Sequence, residues 1–334
     1  MKNYKSDSRR TTPWTGRKDA TPLQSFIDRC NSDNFNRRHP RIADTDEAGL
    51  VNSFKPEACP RCGCPSIKGF GHTAAGIQRY RCNGCGRTFT PLTNTIFDSR
   101  KIPLTEWLDF LLSIFGYGSF RLVSKSNRNA YNTTRYWIEK VFIVLRDYQD
   151  DIVLSGRIQL DETFHKMRNP DIQRKDGNLE LRGISRNQIC IGMASDQNNV
   201  IAFAEGRGRP TIGGTLSAFK GHISPGSTLV HDMDLSHRAL VKELGLKSLE
   251  YNSKELRKLP DADNPLNEIN QHCNMLKKFL KAHSGFIRDD IQDYLNLFCF
   301  ITNPPEGKHR KVERLMDMAM GCRKTHRYRP KNSK

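Results

Sequence analysis

Residues 157–164 read Arg-Ile-Gln-Leu-Asp-Glu-Thr-Phe, and the fold of the chain turns on them. Their alternating apolar and polar character predicts a β-strand. The expectation sets Asp161 in mid-strand, turned inward with Ile158 and Leu160, and Glu162 on the opposite face. Further along, Gln188–Ala194 (QICIGMA) and Val200–Glu205 (VIAFAE) read as two more strands, joined by a hairpin turn at Asp196–Asn199. A helix over Thr211–Phe219 follows. Ser227–Asp232 (STLVHD) is an apolar strand that ends on an acid. A helix over Ser236–Leu244, with Ser236 as N-cap, leads to a short strand at Ser248–Tyr251. Two helices, Asn264–Ala282 and Asp289–Ile301, close the region. Residues 165–187 form a long basic insert between the first two strands, too long for a tight turn, and so either disordered or a substrate loop.

The order is β-β-β-α-β-α-β-α-α. Three antiparallel strands followed by strands alternating with helices is the ribonuclease H-like pattern, an α/β fold. In such a sheet an acid in the first strand and another at the end of a neighbouring strand come side by side. Asp161 and Asp232 fit those places. Nuclease and strand-transfer chemistry needs paired divalent ions, and hard Mg²⁺ needs oxygen ligands. Asp234 competes with Asp232, although it could equally cap the next helix. A third ligand is expected from the helix over 264–282, whose inward face offers Asn270, then Cys273 or Asn274, then Lys277. Asn270 and Lys277 share a face, being two turns apart. The rival Glu268 lies roughly 200° around the helix from Asn270. Lys277 could hold a phosphate oxygen. His231, Trp107 and Trp137 read as structural, and Cys190 and Cys299 as buried thiols.

Upstream, Cys59-Pro-Arg-Cys62 and Cys82-Asn-Gly-Cys85 form two CxxC knuckles, each followed at once by glycine, Gly63 and Gly86. Four thiolates at this spacing suit one tetrahedral Zn²⁺, with room for a β-hairpin between the knuckles. A redox dithiol or disulfides would favour a signal peptide or a βαβ context, and neither is seen. Cys64 is a spectator. Leu104–Phe115 reads as an amphipathic helix with Leu104, Trp107, Leu108, Leu111 and Leu112 on one face. A glycine-containing break, a short segment at Phe120–Ser124 and a longer helix from Asn132 to Tyr148 complete a helix-turn-helix layout. Asn132, Thr133, Arg135 and Tyr136 would open its recognition helix and meet phosphates and base edges. The chain therefore divides into a basic, partly disordered segment over 1–55, with a short helical piece at Leu23–Ile27, a zinc ribbon over 56–96 and a helical DNA-binding region over 97–150. A catalytic domain over 151–304 and a basic tail over 305–334 follow.

The formal net charge is +18, and it is unevenly spread. Residues 59–150 carry 13 basic and 6 acidic groups and residues 305–334 carry 10 and 3, whereas residues 151–304 carry 20 and 19. Basic flanks around a neutral body point to polyanion binding by the flanks and chemistry in the body. The basic insert, with Arg182 and Arg186, and the tail would grip phosphates without reading sequence. No apolar run approaches the length of a membrane span. With no secretory signal expected, the ten cysteines read as metal ligands and buried thiols of a reducing cytosol.

The ribbon CPRCGCP…RYRCNGCGRTFTPLTNTIF, the tract TTRYWIEKV, the strand LDETF, HDMDLSHRAL and INQHCNMLKKFLKAHSGF together resemble insertion-sequence transposases of the DDE superfamily. The likeness is to the zinc-ribbon lineage usually called ISXO-two-like, and it runs from about Cys59 to Pro305. It implies that Asp161 and Asp232 are the first two catalytic residues. Asn270 stands at the third place, with Lys277 downstream, which gives an Asp-Asp-Asn type. Two positions depart from the pattern without touching a ligand: Met233 after the second Asp, and Cys273 three residues after Asn270. The resemblance implies Mg²⁺, with Mn²⁺ as a substitute, double-stranded DNA of element ends and target as partner, and a homodimer or larger synaptic assembly. It also implies a prokaryotic, cytoplasmic, nucleoid-associated protein. A DNA-binding protein with a dead centre, or a nuclease that cuts without joining, are the alternatives.

Overall fold

A computed structural model describes residues 44–99, 104–127, 129–175, 179–256 and 258–324, with isolated positions 22, 23 and 26. Of the expected helix at Leu23–Ile27 only Leu23 and Phe26 are described, both helical and exposed; Cys30 and the last ten residues of the basic tail fall outside the described residues. Contacts divide the chain into two units. One holds the chain up to Gly116, Phe120–Lys140 and Val312 onward; the other holds Tyr117–Ser119 and Val141–Lys311.

The first unit opens with α1 (Asp44–Ser53), whose Ala48 and Val51 are buried. A three-stranded antiparallel sheet follows, β1 (Ile67–His72), β2 (Gln78–Cys82) and β3 (Thr88–Phe89), in that order. The hairpin expected between the knuckles is β1–β2. Three helices come next: α2 (Leu104–Phe115), α3 (Phe120–Ser126) and α4 (Tyr131–Leu145). Glu47 of α1 accepts a hydrogen bond from Leu104 N at 3.0 Å, an anion at the start of α2 where the helix dipole favours it. Trp107 and Trp137 stack with centroids 4.5 Å apart, and Phe97 and Phe110 meet Trp107 edge-on. Both indoles are buried, as expected of core groups. The buried stripe of α2 is Leu104, Trp107, Phe110, Leu111, Ile114 and Phe115. Leu108 and Leu112 are only half-buried, so the stripe is turned from the expected one. Aromatic stacking sets the rotation of α2. A short α3 and a longer α4 stand where two helices were expected, but α4 runs Tyr131–Leu145 and does not reach Tyr148.

The second unit is built on a five-stranded sheet. Its strands are β4 (Arg157–Lys166), β7 (Gln188–Ser195), β8 (Val200–Arg207), β9 (Thr228–Asp232) and β10 (Lys247–Tyr251). The order is β10-β9-β4-β7-β8. The pairs β4–β7 and β7–β8 are antiparallel, as the sequence led us to expect of the first three strands, while β4–β9 and β9–β10 are parallel. The insert is ordered where described, and it carries a small antiparallel pair, β5 (Arg174–Lys175) and β6 (Leu179–Glu180). Its base is tied by the buried Asn187, which exchanges hydrogen bonds with the Gln173 backbone at 2.7 and 2.8 Å.

Helices cover both faces of this sheet. On one face Ile158, Leu160, Ala194, Ile201 and Leu229 pack with Phe219 of α5 (Ile212–Phe219) and Leu240 of α6 (Arg238–Leu244). After the short α7 (Ser253–Leu256) come α8 (Asn267–Ala282), which lies on β4 and β7, and α9 (Ile291–Thr302), which lies on β8. The outer backbone groups of β8 are met by side-chain amides. Asn303 brackets Val200, Gln149 brackets Ala202, and Gln292 accepts from Ala204 N, at 2.7 to 3.1 Å. The expected basic tail begins as a helix, α10 (Lys308–Gly321), with Val312, Leu315, Met316, Ala319 and Met320 buried. An apolar stripe every three or four residues forms that helix despite its charge. No helix among the described residues is long and apolar enough to cross a membrane.

Candidate functional site

The register of β4 on β9 pairs Leu160 with His231, so Asp161 and Asp232 are the next residues along two parallel, adjacent strands. Strand alternation puts Asp161 on the face of Gln159 and Thr163. The expectation that Asp161 turns inward with Ile158 and Leu160 is thus corrected: those two share their face with Glu162, because the period of a strand is two. Glu162 does lie opposite Asp161, as expected. Burial pushes the Asp161 carboxyl up to about 7, and the charges of Glu162 and Asp232 add to this. The Glu162 amide, donating to Asp161 Oδ1 at 2.9 Å, works the other way. Asp232 Oδ1 accepts from Asp234 N at 3.0 Å, and Asp234 Oδ1 accepts from Ser236 N at 2.9 Å. The cap of the following turn is therefore Asp234, which the sequence also allowed; Ser236, the expected cap, lies two residues later, buried inside the turn.

The Asp161 face meets α8. Gln159 clamps the start of that helix, accepting from Ile269 N at 3.0 Å and donating to Glu268 at 3.3 Å. Ile269, Cys273, Leu276, Phe279 and Leu280 form its buried stripe. The Cys273 thiol is pushed far up, by burial first and then by the charge of Asp161, while Lys277 pulls it down. Cys273 thus stands within electrostatic reach of both. Asn270 is half-buried one turn before Cys273, and Lys277 is exposed one turn after it. Glu268, the rival third ligand, is engaged by Gln159.

Sequence reasoning missed what lies behind Asp232. Glu162 Oε1 accepts from His237 Nε2 at 2.7 Å, with the imidazole fully buried and the carboxylate nearly so. Burial alone would lower the His237 pKa, but the hydrogen bond and charge of Glu162 outweigh it, and the net direction is upward. His237 Nδ1 lies 2.9 Å from His231 Nδ1, and His231 Nε2 lies 2.9 Å from Ser248 Oγ. Glu162, Asp232 and His237 have ligand atoms within 4.8 Å of one another. Because Glu162 and His237 are already bonded together, the group is a strut under the Asp232 turn. A second, half-buried acid, Glu205, accepts from Thr215 at 2.8 Å, and desolvation pushes it up to about 7. It lies across Gly192, where an added Cβ would collide with its Oε1. One signal was available: an acid on the same strand face as Ile158 and Leu160 must be buried, and a buried acid needs a partner.

In the first unit, Cys59, Cys62, Cys82 and Cys85 bring their sulfurs within 4.8 Å of one another. Cys59 and Cys85 are 3.8 Å apart, Cys62 and Cys82 3.6 Å. Four sulfurs around a tetrahedral ion at about 2.3 Å would be about 3.8 Å apart, so the cluster fits zinc. Gly63 and Gly86 have φ of 72° and 71°, the left-handed turn each knuckle requires. The Cys85 amide, aimed at the Cys82 sulfur, draws that thiol from 9.0 down to about 6. Cys64 stays outside the tetrad and packs beside Gly84. Asn132, Thr133, Arg135 and Tyr136 occupy the first turns of α4, with Asn132 exposed and the other three half-buried. Arg182 and Arg186 are exposed on the insert.

No family model matches the chain. It is 23% identical over 262 residues to an uncharacterized protein in transposable element ISH50 of Halobacterium salinarum, covering 72% of this chain and 83% of that one. Solved structures to which it is similar include a simian T-cell lymphotropic virus intasome bound to PP2A regulatory subunit B56 gamma. That likeness has 12% identity and a TM-score of 0.29, and covers 57% of this chain and 67% of that one. Another is the Mos1 mariner paired end complex with Mn, with 13% identity and a TM-score of 0.27, covering 64% and 77%.

Proposed function

We propose that this protein is a transposase of the DDE type, which binds the ends of its own mobile element and catalyses strand cleavage and strand transfer. The observation that carries the reading is the placing of Asp161 beside Asp232 on adjacent parallel strands, with α8 against the same face. The similarity to a protein of a transposable element supports it. On this reading residues 151–304 form a ribonuclease H-like catalytic domain. Asp161, Asp232 and Asn270 would hold Mg²⁺ through oxygen, a donor set suited to a hard cation. When bound, magnesium lowers the pKa of an attacking water or 3′-hydroxyl and neutralises charge on the phosphate. Asp161 and Asp232 would offer their carboxylates from neighbouring positions on the two strands. The Gln159 clamp fixes the register of α8 against β4, and with it the position of Asn270 relative to Asp161. Lys277 reaches a phosphate oxygen from the exposed side of the helix. The insert leaves β4 at its C-terminal end, the end to which β9 also delivers Asp232, so Arg182 and Arg186 can meet the DNA approaching the carboxylates.

The ribbon, with zinc on its four cysteines, and the helices α2 to α4 bind the inverted repeats. Asn132, Thr133, Arg135 and Tyr136 lie on the helix that reads them. Pairing of two ends requires a dimer or larger synaptic assembly. The test uses purified protein, Mg²⁺ and labelled DNA carrying the repeats that flank the gene, with Asp161→Ala and Asp232→Ala alongside. Metal-dependent joined products that vanish in both variants are expected. Cleavage without joining would make the protein a nuclease. Tight binding with neither product would make it a DNA-binding protein only.

A further inference from the structure

The β1–β2 hairpin of the ribbon has two unlike faces. Ile67, Tyr80 and Cys82 pack inward with Cys59, Cys64 and Phe89, and the Tyr80 and Phe89 rings stack 5.6 Å apart. Alternation puts Lys68 and Phe70 of β1, and Arg79 and Arg81 of β2, on the other face, where the register pairs Lys68 with Arg81. There Phe70 is 41% exposed. The guanidinium carbons of Arg79 and Arg81 lie 5.4 and 5.5 Å from its ring centroid. Among the described residues none of these three cations has a carboxylate partner.

A face that served solubility alone would have no use for an exposed phenyl ring. The ring does two things for the arginines. It attracts each guanidinium through its quadrupole, and it holds both in one place, so that less side-chain freedom is lost when they meet an anion. An anionic partner that also offers apolar surface between its charges satisfies the whole face. A polynucleotide has that composition, and the net charge of +18 favours it over an acidic protein only if the cations converge, as they do here.

We propose that this hairpin face is a DNA-contacting surface: Arg79 and Arg81 each hold a backbone phosphate of duplex DNA, Lys68 supplements them, and Phe70 packs on the sugar edge between. The proposal rests on the DNA-binding reading above and adds to it the side chains through which the ribbon acts. Because Cys82 and the packed Cys59 and Cys64 lie on the opposite face of the hairpin, a metal on the cysteine cluster would stand away from the DNA.

The experiment measures binding of the full-length, zinc-loaded chain to a labelled duplex of the flanking repeats between 50 and 200 mM salt, a range over which each phosphate contact contributes about 0.9 to the slope of log K on log salt. Arg79→Ala with Arg81→Ala is expected to flatten that slope by about 1.8. Phe70→Ala is expected to weaken binding at every salt with the slope unchanged. Arg79→Lys with Arg81→Lys should keep the slope while losing affinity, because lysine keeps the charge but not the planar stacking. Zinc content measured on each variant reports that the ribbon is intact. A double alanine variant that keeps its zinc and binds with the wild-type slope and affinity overturns the proposal. A wild-type chain with no salt-dependent affinity for duplex DNA would instead overturn the DNA-binding reading itself.

Discussion

Asp161 shows what desolvating a single half-buried carboxyl does to a site. Its carboxyl titrates near 7, against an ordinary 3.8, because burial and the neighbouring acids disfavour the anion. Between those two values the folded state binds more protons than the unfolded one. Without metal, this residue therefore makes the protein more stable as pH falls from about 7 toward 4, and less stable above 7. Asp161→Asn removes the penalty. We expect it to stabilise the metal-free protein at pH 8 by on the order of 4 kcal/mol, read from denaturant midpoints. The same variant should lose the rise in Tm that Mn²⁺ gives the wild type at pH 8, a rise that fades by pH 6 as protons compete for the carboxyl. His237→Ala acts in the opposite sense. It strands Glu162 as an unpaired buried charge, and a cost of about 3–5 kcal/mol is expected. Glu162→Gln, which keeps a hydrogen-bonding partner for the imidazole, should cost clearly less. Equal losses in the two variants would show that the pair is not the strut we describe.

At the scale of elements, the strands and their order were legible because each apolar run had a period of two and was bounded by turn residues. The knuckles were legible from spacing, since four thiols with paired glycines leave the chain few other uses for them. What failed was long-range. The face of Asp161 could have been counted correctly from the pattern alone, but the partner of Glu162 comes from 75 residues away, and no local pattern announces it. The rotation of α2 is set by Trp137 on another helix, so Leu108 and Leu112 looked as apolar as the residues that are buried. Asp234 outcompeted Ser236 as cap because the turn begins at Leu235, three residues before the helix does. Elements also carry their own tests. Gly192→Ala would drive a methyl group against Glu205 and the Phe219 ring, which lies 2.7 Å from the added carbon. Such overpacking costs about 1–3 kcal/mol, measurable by thermal unfolding. Stripping the ribbon with a chelator should expose 59–89 to protease, and more readily at low pH, where protons compete for the thiolates.

The second unit as a whole behaves as a sheet with one finished side. Gln149, Gln292 and Asn303 come from three separate segments, yet all three spend their amides on the outer backbone of β8. Asn303→Ala would leave the Val200 amide and carbonyl unmet, at a cost of about 2–3 kcal/mol in global unfolding. Amide hydrogen exchange should localise the opening to β8. A strand dressed in this way is closed to any newcomer, since its ladder is already occupied by side chains that mimic a sixth strand. The opposite border, β10, has Lys247, Ser248, Leu249 and Glu250 exposed and no such dressing among the described residues. Accretion of β-structure, whether in a productive oligomer or in an unwanted aggregate, therefore has a single direction available to it. Lys247 and Glu250 are the guards posted there.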